Sequence, residues 1–268
     1  MVAASITPAT SATSPLGVLG SSSLTAYWRF LRAVAAAQLR TWLPPRGRVL
    51  LDISGPRSSV AAQAAAAGYR VIRVLPQQLA SGPLPSRAGT ARGEVVPVVA
   101  DPVRLSFLAD GSLDGVIAED GALSAYLMAE DIAAEVSRVL RPGGQLLACV
   151  DSLVLGMSIL AEQHHWAELT DLPQAEVVLI PWPDGRITRC FGPEQLTDLL
   201  TEAGLEVSWI RPRTVLSPSM VDHVLRREPG AITRLVRAEM AAGGADGPTA
   251  GGSGSFGMYL LAAARKPG

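Results

Sequence analysis

Three observations in the sequence predict an α/β fold with a largely parallel sheet and helices on both faces. Apolar runs of strand length alternate with helical segments as far as residue 151. The runs RVLLDI, YRVIRVL, EVVPVVA, SLDGVIAE and QLLACVD lack strict apolar/polar alternation, which is how strands covered on both sides read. The 268-residue chain is 48% hydrophobic and 18% charged, a composition that supports a full core and excludes disorder over the whole length.

The first ordered element is a helix over 24–43, where Leu24, Trp28, Leu31, Val34, Leu39 and Leu43 recur near helical spacing. Pro44 and Pro45 stop it. A buried strand follows at 48–53, then a loop at 54–59 and a short Ala-rich helix closed by Gly68. The next strand is 69–75. Residues 76–93 are broken by Pro and Gly and read mostly as loop. A third strand at 94–100 contains Pro97, which suggests an edge position. The fourth strand is 112–119, a helix spans 122–140, and the fifth strand is 145–151.

Beyond residue 151 the rhythm changes. A helix is expected over 152–169 and a hairpin over 177–191, turning at Pro183-Asp184-Gly185. A helix at 192–204 ends at Gly204, and a sixth strand covers 205–213. Two more helices lie within 218–242. Residues 243–255 form a flexible Gly-rich linker, and 256–266 a last strand. The expected organisation is a loose tail at 1–22 and a single domain at 23–266, with 152–190 as a lid or insertion.

Formal net charge is −1, so no global field favours nucleic acid or a membrane surface. The sequence contains no apolar run long enough to span a bilayer, and the N-terminus lacks the basic segment of a signal peptide. A cytoplasmic protein with a small-molecule partner is the expectation. A homodimer would follow from an exposed apolar face on 24–43 or 152–169. Cys149 and Cys190 imply no disulfide framework, and three scattered histidines make no metal cluster.

Ligands of such sheets sit beyond the carboxyl ends of the strands. The loops at 52–58, 75–78, 101–103 and 119–122 therefore surround one site. Several segments also carry a family resemblance: AAEVSRVLRPGGQLLACVD at 133–151, ADPVRLSFLADGSLDGVIAE at 100–119 and CFGPEQLTDLLTEAGLEVSWIR at 190–211. Together, in this order and spacing, they resemble the class I S-adenosylmethionine-dependent methyltransferases over roughly residues 45–265. The resemblance implies a Rossmann-like seven-stranded sheet with an antiparallel last strand. It also implies S-adenosylmethionine as cofactor and methyl transfer to a small-molecule acceptor. The alternative is a non-catalytic, methyltransferase-like scaffold, regulator or ligand-binding protein.

Carried over by position, the resemblance puts Asp52 at the acidic end of strand one, followed by Ser54 and Gly55 in the cofactor loop. The family's repeated glycines fall on Ser54, Pro56 and Ser58, none of them glycine here. Glycine allows close backbone approach and positive φ, whereas Pro56 has no N–H to donate. The acid that grips the ribose falls on Leu75, which cannot accept a hydrogen bond; Gln77 or Gln78 would have to replace it. Asp101 matches the adenine-binding acid, and Val103 stands where it would pack on the ring. Glu119 follows strand four, where the family lines the site.

Among candidate bases, His164 and His165 have side chains suited to removing a proton near neutral pH, and Glu119 is a third candidate. Each has an ordinary alternative: a polar helix surface for the histidine pair, helix capping for Glu119. His223 is weaker still. Tyr126, Trp166 and Trp182 are candidate pocket walls or core aromatics, and Arg186 and Arg189 flank the hairpin where they could meet an acidic ligand. Methyl transfer demands a base only for some acceptors, since positioning and desolvation carry much of the rate.

Overall fold

The central strands are apolar on both sides because both sides are covered. On one face Leu51, Val116, Leu146, Ala148 and Leu260 pack against Ile132, Val136, Leu196 and Leu200. On the other, Leu50, Ile117, Leu147, Leu261 and Ala263 pack against Leu39, Trp42, Val60 and Ala64. Neighbours along a strand, such as Leu50 and Leu51, thus serve opposite layers, as a period of two requires.

The computed structural model describes residues 21–43, 49–55, 58–76, 88–89, 92–172, 175–182, 184–242 and 257–268. The expected tail, apart from its last two residues, and the whole of the Gly-rich linker lie outside them. In chain order the elements are α1 (Ser21–Trp42), β1 (Val49–Asp52), α2 (Val60–Ala66), β2 (Arg70–Leu75), β3 (Ala88–Gly89), β4 (Glu94–Val99), β5 (Leu113–Ala118), α3 (Ala129–Val139) and β6 (Leu140–Asp151). There follow α4 (Leu153–Glu162), α5 (Trp166–Asp171), β7 (Val178–Pro181), β8 (Ile187–Cys190), α6 (Pro193–Glu202), β9 (Glu206–Arg213), α7 (Pro218–Arg227), α8 (Ile232–Ala242) and β10 (Tyr259–Arg265).

The main sheet runs β3-β4-β2-β1-β5-β6-β10-β9. Seven strands form its body, and the two-residue β3 sits on one edge. β1 is parallel to β2 and β5, β2 to β4, and β5 to β6. β10 is antiparallel to both β6 and β9. This is the expected mostly parallel sheet with an antiparallel last strand. β4 is not the edge strand that Pro97 suggested, since β3 lies outside it; among the described residues β3 pairs with Glu94 and Val95 and stops short of Pro97.

Two expected helices are interrupted. Residues 122–140 were expected to be helical throughout, yet α3 begins at Ala129. Asp120 and Gly121 both adopt positive φ (58° and 67°), and a left-handed pair cannot start a right-handed helix. The segment instead turns through buried Ser124, whose Oγ accepts from Asp151 N at 2.8 Å and whose carbonyl accepts from Arg189 N at 2.8 Å. The second is 152–169, which breaks into α4 and α5 at His164 (φ 60°). The two histidines therefore sit at a helix break rather than on one helix surface.

Residues 152–190 build an apolar cluster of their own, with Leu155, Ile159 and Leu160 of α4 against Val178 and Ile180 of the β7–β8 hairpin. The apolar face of α1, one of those on which a dimer was expected to rest, is covered within the chain: Tyr27, Phe30 and Val34 pack on Val221, Leu225 and Leu235 of α7 and α8. No helix among the described residues is long and apolar enough to cross a membrane.

Candidate functional site

The strand order reverses between β1 and β5, and a crevice normally opens there for a ligand. Here the two loops are bonded to one another. Ile53 N donates to Ile117 O at 3.0 Å and Gly55 N to Glu119 O at 2.9 Å. In return, Glu119 N donates to Ser54 Oγ at 2.9 Å. A Cβ on Gly55 would stand 2.6 Å from Asp120 Oδ2, so only glycine permits this approach.

Asp52 and Ser54 are both buried and turned inward. The Asp52 carboxylate is ion-paired with Arg73 and accepts from Ser54 N at 2.9 Å. Arg73 also donates to Gly55 O at 2.9 Å, so one guanidinium from β2 ties down both ends of the loop. Asp52 was the candidate cofactor acid of strand one; its side chain serves the loop's own geometry. Ser54 keeps negative φ, as a non-glycine residue at that position prefers. Gln77, Pro56 and Arg57 lie outside the described residues.

Leu75, at the end of β2, is half-buried. Asp101 is exposed beyond β4, and its Oδ1 accepts from Val103 N at 3.0 Å. Val103 is half-buried against the core. Tyr126 stands near this acid: burial first, then the charge of Asp101, pushes its phenol up from the ordinary range.

The open space lies over these loops. A cavity of about 550 Å³ opens at the carboxyl edge, from Ser58, Ser59 and Val60 beyond β1 to the ends of β5, β6 and β10, roofed by α1 and the β7–β8 hairpin. That volume falls among ordinary small-molecule pockets, roughly 300–1,000 Å³. Its apolar walls include Trp28, Leu31, Leu155, Trp182 and Tyr259. Glu119, Asp120, Asp151 and Arg213 also line it, while Arg32 and Arg186 reach it from exposed positions.

Glu119 is committed to a clamp. Arg213, from the end of β9, grips both its carboxylate oxygens at 2.7 Å. The same guanidinium donates to Gln38 Oε1 of α1 at 2.7 Å and to Cys149 Sγ at 3.2 Å. With both carboxylate oxygens taken up by the buried guanidinium, Glu119 is a structural partner here. Burial holds the Cys149 thiol well above the ordinary range; Arg213 opposes the shift, and Glu119, Asp151 and Asp120 reinforce it.

The other candidates scatter. His164 is exposed, and His165 lies 3.6 Å from Glu168 of its own segment; neither lines the cavity. His223 is exposed on α7, and Trp166 is exposed at the start of α5. Trp182 does line the cavity, with its Nε1 donating to Thr188 Oγ1 at 2.7 Å. Arg189, the second arginine flanking the hairpin, is buried and paired with Glu130 at 2.6 Å. Arg73, Arg213 and the α1 wall carry no sequence signal of their own, because each acts through a partner distant in the chain.

No family model matches the chain, and no curated protein matches it. Solved structures do. An S-adenosylmethionine-dependent methyltransferase from Methanosarcina mazei superposes with a TM-score of 0.52 at 18% identity, covering 86% of this chain and 97% of that one. The 1,6-didemethyltoxoflavin-N1-methyltransferase of Burkholderia thailandensis, solved with its acceptor and S-adenosylhomocysteine, gives 0.53 at 20% identity over 98% and 94%. The fold is that of the class I methyltransferases. A Mesorhizobium loti methyltransferase agrees, at 0.50 and 15% identity over 86% and 96%. These identities carry the fold alone.

S-adenosylmethionine is the cofactor this methyltransferase fold implies. The described residues fit it at the adenine end, where Asp101 is exposed beside Val103. At the ribose, Leu75 offers no acceptor, and the loop that would pass the methionine moiety is tied to Arg73 and to the β5 loop, with Ser58 and Ser59 of its far end lining the cavity.

Proposed function

We propose that the protein binds a small organic molecule in the cavity under α1 and works as a ligand-binding member of the methyltransferase fold, without methyl transfer. One observation carries this reading. The loops at the strand-order reversal are tied together through Arg73, Ser54 and Gly55, and a cavity of about 550 Å³ opens over them, from Ser58 and Ser59 across to Asp151 and Tyr259. Of the three candidate bases, Glu119 lines the cavity but is bonded through both oxygens to Arg213, and both histidines lie outside the lining.

The test is calorimetric titration and thermal unfolding with S-adenosylmethionine and S-adenosylhomocysteine at about 1 mM. A ligand present at ten times its Kd adds about 1.4 kcal/mol of stability, so binding would be plain. The expected result is no saturable heat and no shift in Tm. A second reading, methyl transfer to a small acceptor held in the cavity, is favoured by the exposed carboxylate of Asp101. Saturable cofactor binding, weakened about tenfold or more by Asp101→Ala, would establish that reading and overturn the first.

A further inference from the structure

The layer built by α1, α7 and α8 carries a charge that the rest of the chain does not. α1 holds Arg29, Arg32 and Arg40 and no acid, and residues 214–242 hold Arg226, Arg227, Arg234 and Arg237. All seven arginines are exposed. Against them stand three acids, each already engaged. Asp222 pairs with Arg226 at 2.7 Å, Glu228 pairs with Arg234, and Glu239 is buried on three backbone amides. Arg29, Arg32 and Arg227 make no ion pair among the described residues. The layer is thus strongly positive in a chain whose formal net charge is −1. Its complement does not come from the rest of the chain outside the described residues, where Asp246 is the only acid.

These arginines border a second hollow. It has a volume of about 220 Å³, lies between α1 and α7, and is walled by Ala26, Leu225, Pro229 and Ile232, with Arg29 and Arg226 also in its lining. That is smaller than ordinary small-molecule pockets, roughly 300–1,000 Å³, and suits one large side chain. Arg227 follows Arg226 in the chain, and Arg32 stands one turn along α1 from Arg29. Anchored protein interfaces share this form: one apolar side chain fills a pocket, and polar contacts around it keep water out.

The surroundings select among anionic partners. No aromatic ring lines the hollow, so nucleic-acid bases find no stacking platform there. The main apolar faces of α1, α7 and α8 pack on one another, through Tyr27, Phe30, Val34, Val221 and Leu235, and are not turned toward a bilayer. An aliphatic seat ringed by guanidinium groups matches a peptide in which one apolar residue stands among carboxylates.

We propose that the α1–α7 face docks an acidic segment of a partner protein. One large apolar side chain of that segment sits in the hollow, and the carboxylates flanking it meet Arg29, Arg32 and Arg227.

The probe is an acetylated and amidated peptide, Asp-Glu-Asp-Phe-Glu-Asp-Glu, labelled with a fluorophore and titrated with the full chain by fluorescence anisotropy. It is expected to bind at least about tenfold more tightly than the same peptide with serine in place of phenylalanine, because the ring is withdrawn from water. Raising NaCl from about 50 to about 500 mM should weaken binding about tenfold or more. Arg29→Glu and Arg227→Glu change exposed side chains outside the core, and each should weaken binding at least about fivefold. Arg265→Glu alters the net charge equally but lies at the other end of β10 from Tyr259, which packs on this layer, and should leave binding unchanged. A serine peptide as tight as the phenylalanine one would overturn the seated side chain and with it the proposal. So would undiminished binding to both Arg29→Glu and Arg227→Glu, or no peptide binding at about 1 mM. Tighter binding of a twelve-nucleotide oligothymidylate, or of phosphatidylglycerol vesicles, would overturn the acidic segment in favour of nucleic acid or a membrane. S-adenosylmethionine binding would overturn the proposed function and leave this result standing.

Discussion

Arg213→Met should lower the unfolding free energy by about 3–5 kcal/mol, because it strands the Glu119 carboxylate in the interior. The effect is large against the total of about 5–15 kcal/mol typical of a folded chain. Glu119 is 3% exposed, and its two oxygens bond the same guanidinium. The substitution also releases Gln38 and Cys149, the contacts by which Arg213 joins α1 to the sheet. Equilibrium urea unfolding monitored by circular dichroism measures the loss. The double variant Glu119→Leu/Arg213→Met should lose less than Arg213→Met alone, since no buried charge is left without a partner. A single-variant loss below about 1 kcal/mol, or a double variant worse than the single, would show that the pair does not hold the two layers together.

Glu239→Ala should come next, at about 3–5 kcal/mol. Glu239 of α8 is 2% exposed and accepts from three successive amides: Thr214 N at 2.6 Å, Val215 N at 2.9 Å and Leu216 N at 3.0 Å. It caps the reversal that carries the chain from β9 to α7, where Thr214 adopts φ of 67°. Each buried amide left without an acceptor costs about 1–3 kcal/mol, reduced where water enters. Glu239→Gln keeps one oxygen in place and should lose about half as much in the same urea titration. Equal losses for Ala and Gln would assign the effect to charge rather than to the count of acceptors.

The architecture was legible in the sequence for a simple reason. Runs such as LLACV and GVIA are apolar because both faces of the sheet are covered, and that cause acts locally. Pro-Asp-Gly announced the hairpin turn, again through local chemistry. The site was legible only as a neighbourhood. Position placed Asp52 and Glu119 at strand ends correctly, but not what their side chains do. Asp52 answers to Arg73, 21 residues away, and Glu119 to Arg213, 94 residues away. No spacing rule connects such pairs, because the sheet order brings them together. The helix break at His164 was hidden too, since its left-handed backbone is no strong preference of histidine.

The bonded loops at the β1–β5 boundary bear on motion as well as on ligands. Loops at the carboxyl edge of a parallel sheet usually open more readily than the strands beneath them. Here the amides of Ile53, Gly55 and Glu119 each donate within the boundary itself. In hydrogen–deuterium exchange they should protect like core strand amides, and the slow-exchanging core should extend past the strand ends. The mobile part of the ligand edge would then be the α1 and hairpin roof, and the rate at which it parts would set how fast a ligand enters and leaves.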